Sequence, residues 1–308
     1  MAITLEEASK LSNDMLKIGV IETIIKDSPI LQRLPFIEIV GNSLIYNQEK
    51  TLPGANWYDV NEEWATPTPP TFEKVAAELK ILGENADIDA FLKATRSNVQ
   101  DLEATVVELT TKAITHEFED TFIYGSGEVA DKDFKGLRLL IDTTAASSQV
   151  ITMGGTGATL TLAKLDELID AIKGGKPDML LMSRRSRRKL NALVRAAGSG
   201  IMETDRDKWG NFIQLWDGIP IGINDWILNT HVLTDGYETA TTGGDCSTIY
   251  AMQFGEGGLC GLTAPGHLTV EPIGALEARD ATRTRIKWYV SLALFSTIKA
   301  AGLIGVTD

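Results

Sequence analysis

The chain has 308 residues, 29 basic against 42 acidic, for a formal charge of −13; the length suits one large or two modest domains, and the sign excludes a general nucleic-acid binder. With 44% hydrophobic and 23% charged residues it has globular proportions, which excludes wholesale disorder. Cys246 and Cys260 are too few for a disulfide framework or a four-cysteine zinc site, although one bridge between them is sterically conceivable.

Thr4 and Glu7 fit a capping box, and Leu5, Ala8, Leu11, Met15 and Ile18 recur at helical steps. This predicts an amphipathic N-terminal helix that needs a surface to lie on. The same stretch lacks the basic and apolar regions of a signal peptide, and no apolar run approaches about 18 residues, so no membrane span is expected. From Ser28 to Ile45, Pro29, Pro35 and Gly41 break helical continuity and favour an arm leading into a strand.

Ser43–Thr51 and Lys74–Gly83 read as facing strands. The joint between them, about 22 residues, far exceeds an ordinary hairpin loop. Pro53, Pro67, Pro69 and Pro70 stiffen it, and Trp57, Tyr58 and Trp64 give it aromatic surface. It reads as a protruding hairpin that expects a partner surface; the alternative is a lid folded onto its own body.

A helix is predicted over 94–124, where Val99, Leu102, Val106, Leu109 and Ala113 trace an apolar stripe with no Gly or Pro before Gly125. At 1.5 Å per residue it would be about 45 Å long, which suggests an elongated body. A coiled coil is the other reading, opposed by the polar Glu117 where the stripe should continue. Next come a helix from Thr161 stopped by Gly174 and Gly175, a strand at Asp178–Met182, and a helix from Ser183 stopped by Gly198. That order indicates an α/β subdomain. Ile213–Asp225 reads as a short strand pair and Ser247–Phe254 as a strand. Near the end, Arg283, Arg285, Lys287, Tyr289 and Ser291 alternate with Thr284, Ile286, Trp288, Val290 and Leu292, a strand with one wet and one dry face. The long helix and this strand flank the α/β segment, which therefore reads as an insertion.

Catalytic and ligand motifs are largely missing. Gly154, Gly155, Gly157 and Gly255, Gly257, Gly261 do not complete a phosphate-binding loop, and no nucleophile elbow occurs. His116, His231 and His267 are too far apart for a local ligand pair, and His116-Glu117 lacks the second His of a zinc motif, having Asp120 there. Asp131, Asp133, Gly136 and Asp142 fall on calcium-loop positions, but Lys135 intrudes, so a surface turn is the simpler reading. The run Arg184, Arg185, Arg187, Arg188, Lys189 could contact nucleic acid, yet in an acidic chain a solvated face or salt bridges to another subunit fit better.

The order of these parts resembles the major capsid proteins of tailed bacteriophages, the Hong Kong 97-type fold. The cues are the arm up to Pro35, the hairpin around Tyr46–Val75, a long helix ending in Phe122-Ile123-Tyr124-Gly125, and Phe134–Leu137. The segment Ser183–Val194 and the turn Leu215-Trp216-Asp217-Gly218-Ile219-Pro220-Ile221 complete the match. The resemblance implies an α+β fold with an N-terminal arm (1–35) and the first part of a peripheral domain (36–140). That part carries the extended loop (46–75) and the spine helix (94–124). An axial α/β domain (141–264) is inserted, a strand returns to the peripheral domain (265–295), and a C-terminal segment (296–308) rejoins the axial domain.

It further implies a non-enzymatic shell protein with no catalytic residue, cofactor or metal. Copies would assemble as hexamers and pentamers around double-stranded DNA touched only weakly and non-specifically. A portal protein would occupy one vertex, with a separate scaffolding or decoration protein as a further partner and no membrane. The chain would be made in the host bacterial cytoplasm and reside in the virion. Because the fold is expected to begin near Phe36, no long scaffolding region is expected ahead of it. Lys50 has no matching Asn with an adjacent catalytic Glu, so no covalent cross-link is expected. Trp57, Tyr58, Asp59, Glu62, Glu63 and Trp64 on the hairpin, and Arg279, Arg283 and Arg285 on the long strand, are the expected intersubunit contacts. Two alternatives stay open: an encapsulin-type nanocompartment shell, compatible with the N-terminal helix, and a soluble enzyme using a carboxylate pair.

Overall fold

The computed structural model describes residues 28–308 apart from 52–53, 67–68, 70, 92–101, 145–146, 199–201, 207–209, 211 and 241. The helix expected over Thr4–Ile18 and the first part of the expected spine helix, 94–101, lie outside these residues. The arm's last turn is described: Ser28 Oγ accepts from Leu31 N–H, and Ile30, Leu31 and Leu34 are fully buried. The arm therefore ends as an apolar plug.

A four-stranded sheet has the order β1 (Phe36–Glu38), β14 (Leu259–Ala275), β15 (Ala281–Leu294), β4 (Lys80–Asp89). β1 runs parallel to β14 with Phe36 opposite Gly261, and a Cβ on Gly261 would stand 2.3 Å from the Phe36 ring. That close approach is the use of Gly261, which sequence reading had weighed for a nucleotide loop. Along β15 the expected alternation holds from Arg283 to Val290. Beyond it, Ser291–Leu294 are buried on both faces, because Ala293 packs with Ile39, Ala77 and Leu262 on the second face.

The spine helix α1 (Leu102–Tyr124) crosses this sheet. Its buried face is Val107, Thr111, Ile114, Thr115, Phe118 and Phe122, whereas Leu109 is 61% exposed and Ala113 is exposed. The expected stripe was thus rotated. Phe118 and Phe122 set the true face by packing with Phe134 and Trp288. Thr111 and Thr115 join it because their hydroxyls donate to the carbonyls of Val107 and Thr111 within the helix. After α1 comes the short helix α2 (Leu137–Ile141).

The inserted part is built on an eight-stranded sheet. Its order is β5 (Val150–Thr152), β16 (Ala300–Thr307), β13 (Ser247–Met252), β7 (Met179–Met182), β10 (Ile219–Ile223), β9 (Phe212–Trp216), β8 (Met202–Arg206), with β6 (Ala158–Thr159) also on β16. Helices α3 (Leu162–Asp170) and α4 (Arg184–Ala197) start at the expected caps, Thr161 accepting from Lys164 N–H and Ser183 from Ser186 N–H. Gly198 closes α4 in the left-handed region at φ 64°. A small hairpin, β11 (Val232–Thr234) and β12 (Tyr237–Ala240), lies beside β16. The last strand, β16, sits in the sheet interior between β5 and β13, so the C-terminal segment rejoins the inserted part.

Candidate assembly surface

The strands β2 (Ser43–Thr51) and β3 (Thr71–Glu78) pair antiparallel from Ser43 opposite Glu78 to Thr51 opposite Thr71, forming a two-stranded ribbon outside both larger sheets. The single strand expected over Lys74–Gly83 is in fact two. At Leu79, whose N–H donates to Asn42 O at 2.9 Å, the chain leaves β2 and continues as β4 against β15. One extended segment thereby serves two sheets. The ribbon root is held by the Tyr46 ring on Phe295 at 4.9 Å and by Gln48 Nε2 donating to Leu294 O at 2.5 Å. Burial raises the Tyr46 phenol above its usual range, so it stays protonated.

Beyond the root, the ribbon stands in solvent. Trp57 is 100% exposed and Trp64 78%. Tyr58 stacks on Trp64 with ring centroids 4.4 Å apart, and its hydroxyl accepts from Ala65 N–H at 3.1 Å. Asp59 and Glu62 close a turn: Asp59 N–H donates to Glu62 Oε2 at 2.7 Å and Glu62 N–H to Asp59 O at 3.2 Å, with Asn61 at φ 69°. The tip is therefore locally ordered by its own bonds while its apolar faces remain uncovered. That geometry removes the lid reading, because a lid would bury these rings against its own body. Among residues 54–66 the acids are Asp59, Glu62 and Glu63, all exposed, and there is no basic residue.

The wet face of β4 and β15 carries both signs, with Arg283, Arg285 and Lys287 beside Asp87 and Asp89. Arg283 grips Asp87 with two bonds of 2.6 Å, which lower the Asp87 carboxyl below its usual value, with Arg279 nearby contributing. Arg285 Nε donates to Asn85 Oδ1 at 2.9 Å, and Lys287 pairs with Glu271 at 2.7 Å. Gly83 leaves a groove of about 380 Å³ between Ile81, Asn85, Lys287 and Tyr289, with Ile81 73% exposed. Arg283 and Arg285 thus share one sheet with Asp87 and Asn85, whereas Arg279, expected on the long strand, lies in the turn between β14 and β15 because that strand starts only at Ala281. The tip residues lie on the ribbon, and the structure does not bring the two sets together within one chain.

The remaining sequence candidates take structural roles. On α4, Arg184 bonds Asp225, Arg185 bonds Asp245 at 2.6 Å and Arg188 bonds Asp308 at 2.9 Å, so these three bases are paired within the chain rather than held for nucleic acid. Asp133 accepts from Ser126 N–H and Gly127 N–H, which makes the calcium-like stretch a self-capped turn. Among the described residues no cluster of His, Cys, Asp and Glu is placed to hold a metal. Cys246 and Cys260 are both free and buried. Sequence reading missed one cluster, the buried contact of His231 with Tyr124, Glu238 and Thr248. Tyr124 and His231 are 107 residues apart, so no local spacing announces it.

The model of the phage capsid family matches residues 13–242. The chain belongs to the phage capsid family. In structure it is similar to the SrpI encapsulin of Synechococcus elongatus PCC 7942, with TM-score 0.64, 18% identity, and 100% of this chain and 97% of that one covered. A structure of Microbacterium phage Oxtober96 matches with TM-score 0.62, 14% identity and 91% of both chains. The capsid of a native GTA particle matches with TM-score 0.60, 15% identity and 90% of both. At such identities these likenesses carry the fold, which is the Hong Kong 97-type α+β fold of capsid proteins. No curated protein sequence matches the chain. By family it is a structural shell protein of a capsid, made to associate with copies of itself. No helix among the described residues is long and apolar enough to cross a membrane.

Proposed function

We propose that this chain is the major capsid protein of a tailed bacteriophage, assembling through hexamers and pentamers into an icosahedral shell around double-stranded DNA. The observation that carries the reading is the self-ordered hairpin tip, whose Trp57 and Trp64 are left in water by a chain of the phage capsid family. Large aromatic surface of this kind marks an interface, and repeated heterologous contacts that close generate shells. The tip acids Asp59, Glu62 and Glu63, with Trp57, Tyr58 and Trp64, would meet Arg279, Arg283 and Arg285 of a neighbour. Arg283 would then share its charge between Asp87 and the incoming acids.

The domain division follows the same reading: arm 1–35, peripheral parts 36–140 and 265–295, axial domain 141–264, and returning segment 296–308, except that β14 starts at Leu259 and so carries 259–264 on the four-stranded sheet beside β1. The net charge of −13 suits a wall that encloses DNA without gripping its phosphates. A portal protein at one vertex and a separate scaffolding or decoration protein would complete the particle, built in the host bacterial cytoplasm and retained in the virion. Expression of the triple charge reversal Asp59→Lys, Glu62→Lys, Glu63→Lys tests the contact. Loss of particles with the fold intact supports it, and normal particles refute it.

A second reading, an encapsulin-type nanocompartment, is favoured by the full-length superposition on SrpI. Particles recovered from the native source decide between the two. Nuclease-protected DNA inside them supports the phage reading, and a packaged protein cargo supports the compartment.

A further inference from the structure

Where the spine helix meets the inserted sheet, a group of polar side chains is shut away from water. Tyr124, the last residue of α1, accepts from Leu228 N–H at 2.9 Å, so its own proton is free to donate to His231 Nε2 at 2.8 Å. That choice places the imidazole proton on Nδ1, facing Thr248 Oγ1 at 3.1 Å and Glu238 Oε1 at 3.3 Å. Arg138 on α2 donates to the same Glu238 oxygen at 2.8 Å. His231, Glu238, Thr248 and Tyr250 are all fully buried.

The node joins elements that also meet through the Trp226 ring on His116 of α1 at 5.5 Å and through Ile227 in the core around Phe118 and Phe122. His231 exchanges backbone bonds with Cys246, Glu238 N–H donates to Thr143 O, and Gly244 lies so close that a Cβ there would stand 2.0 Å from His231 O. Through it, the 225–231 loop and the β11–β12 hairpin are fastened to the end of α1 and to α2.

We propose that Tyr124, His231, Glu238 and Arg138 form a proton-sensitive latch that fastens the loop 225–231 and the β11–β12 hairpin to the end of the spine helix and releases them in acid. In the latched form the node holds one cation, Arg138, and one anion, Glu238, with a neutral imidazole. A proton on His231 would sit on Nε2, where the Tyr124 hydroxyl now donates, and would add a second buried positive charge.

The surrounding charges favour the neutral ring. Burial is the main cause that pushes His231 down to about 4, and Arg138 and Arg185 repel its proton. Burial raises Glu238, against the pull of Arg138 and the Thr143 hydroxyl. The other groups within reach are Asp120 and Tyr124 on α1, Tyr250 on β13, and Asp245 with Cys246 beside Arg185. The signs follow. His231 is harder to protonate when latched than when free, so its contribution is complete above a free imidazole's pKa near 6.5 and is lost as pH falls toward 4. Glu238, raised when latched, acts in the opposite direction below its own raised value. The release is therefore driven by His231.

Hydrogen exchange of the full chain between pH 7 and pH 4.5, corrected for the intrinsic chemical rate, tests this. Protection across 225–246 should fall about tenfold or more relative to Met179–Met182, and His231→Gln, which does not titrate, should abolish the difference. Equal protection ratios at both pH values in the wild-type chain would overturn the proposal. So would a His231→Gln chain that loosens in acid as much as wild type. If His231→Gln fails to fold, the wild-type ratio alone decides. In Glu238→Gln, which leaves His231 without its anion, the acid loosening should be steeper.

Discussion

The eight-stranded sheet and the β2–β3 ribbon come from one chain and obey opposite rules. Every residue of β7 and β13 is buried, and β16 is buried through Val306, so the sheet interior satisfies its apolar surface and its backbone bonds internally. The ribbon tip instead holds two tryptophans in water and braces them with local hydrogen bonds. On the proposed reading, stability resides in the first region and association in the second. A change in one should therefore leave the property of the other largely untouched.

The largest expected effect on folding is in the sheet interior. Leu303→Ala, fully buried on β16, should destabilise the chain by about 2–5 kcal/mol, read from the denaturant midpoint. Ser183→Ala removes the cap of α4 and should cost about 1 kcal/mol. Replacing both Trp57 and Trp64 by Ser should change folding stability by under about 0.5 kcal/mol yet sharply reduce particle yield on size exclusion. A large folding defect in that double variant would erase the contrast between the regions. The smallest effect on folding is expected from Arg283→Ala on the exposed sheet face. Because Asp87 is held low by Arg283, the pair's contribution is present above the free carboxylate pKa and is lost as pH falls below it. The variant should accordingly resemble wild type most closely in acid.

Much of this division was legible in the sequence. β2 spans the residues expected of it, and Thr161, Ser183 and Gly198 punctuate α3 and α4 as read, because caps and left-handed closures are local physics. The alternation of β15 announced its dry face for the same reason. The split at Leu79 could not be read, since both halves are extended and only the change of partner from β2 to β15 separates them. β14, 17 residues long, hid behind Gly261, Pro265 and Gly266, glycine and proline signals that mark turns elsewhere but here accompany an interrupted register with β15. The His231 node was illegible because its partners are joined only by the tertiary fold. At the candidate assembly surface, the aromatic tip was evident from composition, whereas the intrachain engagement of Arg283 with Asp87 depended on strand register.

The most direct test of the account is the mass of the purified full chain by light scattering after size exclusion, with negative-stain microscopy of the same fraction. The account predicts capsomer-sized rings or closed megadalton shells. A compact monomer near 33.5 kDa at every salt and protein concentration would contradict it.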